Sequence, residues 1–137
     1  MLKRSVNRET KTLMTTNGQL HSKRVLVIDD EAKFSCLVAG FLMGRGYQTT
    51  VASNGDEALE ALKRFGPEIV LLDVRMPGLS ALELLKRIRS TSLPPRVIMV
   101  TAMDTSDMID EAMDNGAKGY LCKPIDLNQL EQLIAEL

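Results

Sequence analysis

The stretch Ile69-Val70-Leu71-Leu72-Asp73-Val74-Arg75-Met76-Pro77-Gly78 decides the fold. Four apolar residues run straight into a lone carboxylate, and a Pro-Gly turn follows four residues later. An apolar run this short, closed by turn residues, reads as a strand buried on both faces. Asp73 then stands at the carboxyl end of that strand, where the chain leaves the sheet. In open α/β sheets, ligands and chemistry collect at that end.

Working outward, the same pattern recurs. Val25-Leu26-Val27-Ile28 is a second buried-type strand, first in chain order, and it ends in Asp29-Asp30-Glu31. A helical pattern follows, with Phe34, Leu37, Val38, Phe41 and Leu42 on one face, closed by Gly44 and Gly46. Tyr47 to Ala52 is a more polar strand, suited to a sheet edge. Asn54-Gly55 opens a helix faced by Ala58, Ala61, Leu62 and Phe65, and Gly66-Pro67 ends it. After the Asp73 strand, Ser80 starts a helix with Ala81, Leu84, Leu85 and Ile88 inward. Val97 to Val100 is a fourth strand, ending at Thr101. Residues 105–115 form a helix with Met108, Ile109, Ala112 and Met113 inward and an acidic outer face. Lys118 to Cys122 is the fifth strand, ending in Lys123-Pro124. Asp126 caps a last helix built on Leu127, Leu130, Leu133, Ile134 and Leu137.

Five strictly alternating βα units predict a parallel sheet with helices on both faces and right-handed crossovers. A polar second strand beside an apolar first strand fits the flavodoxin-like order 2-1-3-4-5. In that order Asp29, Asp30 and Asp73 converge at one rim, and Thr101 and Lys123 flank them.

Composition narrows the function. A chain of 137 residues with 45% apolar content supports one domain with one sizeable core. With no Trp and few aromatics, that core is aliphatic. A formal net charge of −1 steers neither nucleic acid nor anionic membrane. No basic run interleaved with aromatics marks direct nucleic-acid binding. Cys36 and Cys122 lie in apolar runs without metal-type spacing, and are expected to be core residues in a reducing compartment. No run is long enough to span a membrane, which points to a cytoplasmic protein. Residues 1–22 carry Lys3, Arg4, Arg8 and Lys11 against Glu9 and lack periodicity, so they are expected to be a flexible leader, leaving 23–137 as the domain.

The rim has a clear chemical logic. Three adjacent carboxylates repel, and without compensation at least one takes up a proton. A divalent cation removes the conflict, and hard oxygen ligands favour Mg²⁺. Lys123 adds a positive charge and Thr101 a hydroxyl donor. Together these offset the charge of a phosphoryl group in transfer. Asp73, at the centre, is the best placed to attack, giving an acyl phosphate.

These residues resemble the receiver domain of two-component response regulators, in the manner of the chemotaxis receiver. The matched elements are Asp29-Asp30 after the first strand, Asp73 followed by Met76-Pro77-Gly78, Thr101-Ala102, and Gly119-Tyr120 ahead of Lys123-Pro124. Asn54-Gly55 and Glu57-Ala58-Leu59 match the family's second-helix start. The resemblance implies that Asp73 accepts phosphate from a histidine kinase or phosphotransfer protein. It implies Mg²⁺ held by Asp29, Asp30, Asp73 and the carbonyl of Arg75, with Lys123 bridging to the phosphoryl oxygens. Thr101 and Tyr120 would act as switch residues that change the fourth-helix, fifth-strand and fifth-helix surface for a downstream effector protein, with a phosphorylation-dependent dimer also open. The Lys123-Pro124 bond is often cis in such domains. The protein would then be no enzyme toward outside substrates, catalysing only its own phosphorylation and dephosphorylation. Arg75, two residues past the acceptor, is a long cation at the site mouth, able to contact the phosphoryl group or block the attacking water, and is expected to tune the phosphate's lifetime. Met103 holds a similar position after Thr101.

Three other readings were open. A haloacid-dehalogenase-like phosphatase wants a second Asp two residues after its nucleophile, and Arg75 holds that place. A flavin module wants a phosphate-binding loop after the first strand, where Asp29-Asp30-Glu31 would repel phosphate. A docking-only pseudo-receiver has no need of the intact acids, Thr101 and Lys123. Helix capping explains one of Asp29 and Asp30 well, but not both. His21, alone in the leader, is neither ligand nor catalyst. Whether the domain stands alone or belongs to a larger regulator stays open.

Overall fold

A computed structural model describes residues 23–76, 78, 80–102 and 106–137. The expected leader, the Pro77 turn position and Met103 lie outside the described residues. The elements alternate as β1 (Arg24–Ile28), α1 (Ala32–Gly44), β2 (Gln48–Ala52), α2 (Gly55–Phe65), β3 (Ile69–Asp73), α3 (Ala81–Arg89), β4 (Arg96–Thr101), α4 (Ser106–Asp114), β5 (Gly119–Cys122) and α5 (Leu127–Ala135). The strands form one five-stranded sheet in the order β2-β1-β3-β4-β5, with every pair parallel. This is the flavodoxin-like arrangement that the alternation predicts.

The sheet divides two aliphatic cores by strand alternation. Val25, Val27, Ile69, Leu71, Ile98 and Val100 pack with Val38 and Leu42 of α1 and with Leu130 and Ile134 of α5. Their neighbours Leu26, Ile28, Val70, Leu72, Val97 and Met99 pack with Ala58 of α2, Leu84, Leu85 and Ile88 of α3, and Ala112 of α4. All five residues of β3 are buried. Each large aliphatic side chain so enclosed contributes about 1.5–3 kcal/mol. That is why β3 sits at the centre and holds Asp73 in a fixed place.

Short polar residues start the helices. Asn54 accepts from the Glu57 N–H at 2.9 Å, and the Glu57 carboxylate reaches back to accept from the Ser53 N–H at 2.8 Å. Ser80 accepts from the Glu83 N–H, and Asp126 from those of Asn128 and Gln129. Gly66 ends α2 at φ 61, a left-handed conformation that needs glycine.

Four expectations about packing are corrected. Leu37 is 60% exposed, because the buried stripe of α1 is Ser35, Val38, Ala39 and Leu42. The helix is apolar nearly all round, so periodicity left its phase ambiguous by one position. Ser35 can face inward because its hydroxyl donates to the Asp29 carbonyl. Met108 and Met113 are also exposed rather than inward on α4. Both cysteines are exposed, not core. Cys122 shares a face of the edge strand β5 with Tyr120, and both side chains stand in solvent.

Candidate functional site

Three strand ends meet at the carboxyl rim. β1 pairs with β3 through Ile28 and Leu72, so the residues that follow, Asp29 and Asp73, emerge side by side. β4 pairs with β5 through Thr101 and Cys122, which brings Lys123 to the same rim. Backbone bonds tie the ends together: Asp29 N–H donates to the Ala52 carbonyl, Val74 N–H to that of Val100, and Lys123 N–H to that of Thr101. The Lys123-Pro124 bond is cis.

Asp29, Asp30 and Asp73 each offer a carboxylate oxygen, and these oxygens lie within 4.8 Å of one another. Asp29 and Asp73 are 2% and 4% exposed, while Asp30 is open to solvent. So two acids form the floor and one the mouth. Each buried acid is held by the backbone two residues on. Asp29 Oδ1 accepts from Glu31 N–H at 2.8 Å, and Asp73 Oδ1 from Arg75 N–H at 3.2 Å. Asp29 Oδ2 accepts no hydrogen bond of good geometry among the described residues. It lies 2.8 Å from Lys123 Nζ as an ion pair.

Lys123 Nζ is also 3.4 Å from Glu31 Oε1 and 4.0 Å from Asp73 Oδ2. It stands over the Phe34 ring, 4.3 Å from its centroid. Burial works to lower the lysine's pKa, but the facing carboxylates of Asp29, Asp73 and Glu31 outweigh it, and the ammonium is held above its ordinary value. Asp73 shifts the other way from an ordinary aspartate. Burial raises it, the Arg75 N–H opposes, Asp29 and Asp30 add repulsion, and the result is about 6. The oxygen-only donor set of three carboxylates within reach of one another is chemically suited to a hard divalent cation.

Strand alternation sorts the remaining residues. Thr101 follows Val97 and Met99 onto the α3 and α4 side of the sheet, and it is 1% exposed. Tyr120, paired with Met99 across the β4–β5 ladder, belongs to that side too. Its ring is 49% exposed. Asp29, Asp73 and Lys123 continue the alternation of the α1 and α5 side. The site thus spans both faces: acids and lysine on one, threonine and tyrosine on the other. The Arg75 side chain is exposed and lines a groove with Asp30, Met76 and Met108.

Two contributors were not expected from sequence. In the sequence Glu31 is only the end of an acidic run, yet in the fold it shares Lys123 with Asp29. Phe34 belongs to the apolar stripe of α1, yet its ring also supports the ammonium. No local signal marks either one, because both contacts join residues about ninety positions apart.

Residues 25–135 match the family model described as response regulator receiver domain. The chain is 34% identical over 113 residues to sporulation initiation phosphotransferase F of Bacillus subtilis, covering 82% of this chain and 91% of that protein. It is 39% identical over 106 residues to the transcriptional regulatory protein YkoG of the same organism, covering 77% of this chain but only 46% of that longer protein. Among solved structures, the signal receiver domain of a response regulator from Bermanella marisrubri superposes with a TM-score of 0.79 at 32% identity, over 85% of this chain and 98% of that one.

Proposed function

Because this chain belongs to the response regulator receiver family of two-component systems, we propose that Asp73 accepts a phosphoryl group from the phosphohistidine of a kinase or phosphotransfer protein. The observation that carries this reading is the convergence of three carboxylates within 4.8 Å beside Lys123. Asp29, Asp30 and Asp73 would hold Mg²⁺, with the Arg75 carbonyl, and residues 23–137 act as the signalling module in the cytoplasm. When bound, the ion neutralises the acids and the phosphoryl oxygens.

Asp73 attacks phosphorus through a carboxylate oxygen. The P–N bond to the donor imidazole breaks, the imidazole leaves with that electron pair, and an acyl phosphate remains on Asp73. Lys123 moves its charge from Asp29 toward the new phosphoryl oxygens. The Thr101 hydroxyl donates to one of them, a bond possible only in the phosphorylated state, so it biases the conformational equilibrium. Tyr120 then turns from its exposed position toward the Thr101 side of β4. The change is read at α4, β5 and α5 by an effector protein, with no contact to nucleic acid by this module and with dimerisation as one route. The chain turns over no outside substrate.

Two details belong to the same reading. Arg75 at the mouth tunes the phosphate's lifetime, and an unchanged dephosphorylation rate in Arg75→Asn would contradict that. The exposed apolar face of α1, with Cys36, Leu37 and Met43, begins beside the rim and suits a docking donor. Leu37→Glu should slow transfer from a donor protein and leave phosphorylation by acetyl phosphate intact. The reading as a whole is tested by intact mass after incubation with acetyl phosphate and Mg²⁺. One added phosphoryl group is expected, absent without Mg²⁺ and in Asp73→Asn. Turnover of an unrelated phosphoester would favour an enzyme instead.

A further inference from the structure

The opposite end of the sheet carries a second site. A cleft of about 690 Å³ opens at the amino ends of the strands. That volume falls within the range of small-molecule clefts, about 300–1,000 Å³. Arg24 at the start of β1, Arg96 at the start of β4, Lys118 just before β5 and Arg89 at the end of α3 all line it, against one carboxylate, Glu68. The strands are five or six residues long where Asp73 and Thr101 end them. At about 3.3 Å per residue, the cleft lies some 15 Å or more from the acidic rim.

The bland reading of these cations is that they neutralise helix C-termini. It accounts for two of the four: Arg24 Nε donates to the carbonyl of Gly66, the C-cap of α2, and Arg89 lies in the last turn of α3. Arg96 sits on a strand and Lys118 just before one, so neither serves a last helical turn. At the end of α3, the Arg87 carbonyl accepts from Ser90 Oγ and that of Ile88 from Thr91 Oγ1. Among the described residues, Arg89, Arg96 and Lys118 make no side-chain hydrogen bond or ion pair. Glu68 Oε1 is taken by the Arg24 backbone N–H at 3.0 Å, and Arg24 Nε donates to the Gly66 carbonyl.

The exposed Arg89 side chain approaches the α4–β5 turn at Gly116, whose φ of +101 favours glycine. The far wall is Leu93-Pro94-Pro95. Two consecutive prolines fix the backbone, so little ordering entropy is lost on binding. Leu93 stands 89% exposed beside the cations, an apolar surface with no partner among the packed cores.

We infer that this cleft binds a small molecule carrying two adjacent phosphoryl groups, of the nucleoside diphosphate class. Arginine forks match phosphate oxygens in pairs. Three arginines and a lysine against one occupied carboxylate suit a multiply charged anion better than a single phosphate. The Leu93-Pro94-Pro95 wall offers the apolar surface that a base and ribose would cover. The site shares no residue with the acidic rim, and its binding requires neither Mg²⁺ nor Asp73.

The test is titration of ADP into the ¹⁵N-labelled chain in chelator, followed by amide chemical shifts. Saturable shifts are expected at residues 24, 66–68, 89–96 and 116–118. Arg96→Glu with Lys118→Glu should weaken binding about tenfold or more, as charge-assisted contacts are lost. Asp73→Asn should leave it unchanged, and urea denaturation of the double variant confirms that it folds. AMP binding as tight as ADP would overturn the two-phosphate assignment. So would saturation of duplex DNA at the same residues without any response to ADP, since the cleft would then be a backbone-phosphate contact. Absence of saturable shifts, or dependence on Mg²⁺ or Asp73, would overturn the site altogether.

Discussion

The two ends of the sheet carry charge in opposite ways. At the carboxyl end, two acids are almost fully enclosed, a third guards the mouth, and one lysine is shared among Asp29, Glu31 and Asp73. At the amino end, the cations of Arg89, Arg96 and Lys118 stand in solvent around an open cleft. The contrast is one of burial rather than of charge number. A charge kept in water costs the fold little, whereas an enclosed charge must be paired, protonated or joined by a metal. The enclosed end is therefore suited to chemistry, and the open end to attracting a ligand.

The sharpest way to break this comparison is to remove charge from the enclosed end. Asp73 has a folded pKa of about 6 against 3.8 for an unperturbed aspartate. As pH rises from about 4 to 6 the unfolded chain loses its proton first, so stability falls across that window and stays lower above it. The shift corresponds to about 2–3 kcal/mol. Asp73→Asn should be more stable than the natural chain by that amount at pH 8, in the absence of divalent ions, with the difference vanishing below pH 4. Urea denaturation across pH measures it. Mg²⁺ at about a hundredfold its Kd should restore about 2.7 kcal/mol to the natural chain and much less to the variant.

Removing the lysine tests the same end from the other side. Lys123→Met leaves Asp29 enclosed without its cation, and should cost about 2 kcal/mol at pH 7. This is less than the about 3–5 kcal/mol of a fully buried pair, since the ammonium keeps some water. It should also push Asp73 further up, which NMR titration of the carboxyl carbon reads. The lysine's own contribution is present below its unperturbed value of 10.5 and lost as pH climbs through its raised folded value.

The open end predicts the smallest effect. Arg96→Gln and Lys118→Gln, singly, should change stability by no more than about 0.5 kcal/mol. A loss near that of Lys123→Met would mean that the amino end is a structural ion cluster and would erase the contrast.

The chain's legibility follows the same physics. β3 could be read because enclosure on both faces demands an unbroken apolar run, and Asp73 because a carboxylate ending such a run has no structural reason to be there. The strand order was legible from the polarity of Gln48, Thr49 and Thr50, which only an edge tolerates. The rim was legible because strand ends in a parallel sheet fall on one side whatever the packing details. What escaped was whatever depends on rotation or distance. The phase of α1 turned on one residue, because Leu37 and Val38 are equally apolar and only the packed sheet chooses between them. The exposure of Cys36 and Cys122 followed from the same kind of choice. The contacts of Lys123 with Glu31 and Phe34 exist only because β5 and α1 are brought together in space. The amino-end cleft gave no motif, since its cations come one at a time from separate elements.

The most direct measurement on the central assignment is chemical trapping of the acyl phosphate. After reaction with acetyl phosphate and Mg²⁺, borohydride reduces an aspartyl phosphate to homoserine, and peptide mass mapping locates it. Homoserine at position 73 alone, absent when Mg²⁺ is withheld, is the predicted result. Homoserine at position 29 or 30, or a phosphoryl group that survives borohydride unchanged, would contradict the assignment of Asp73 as the acceptor.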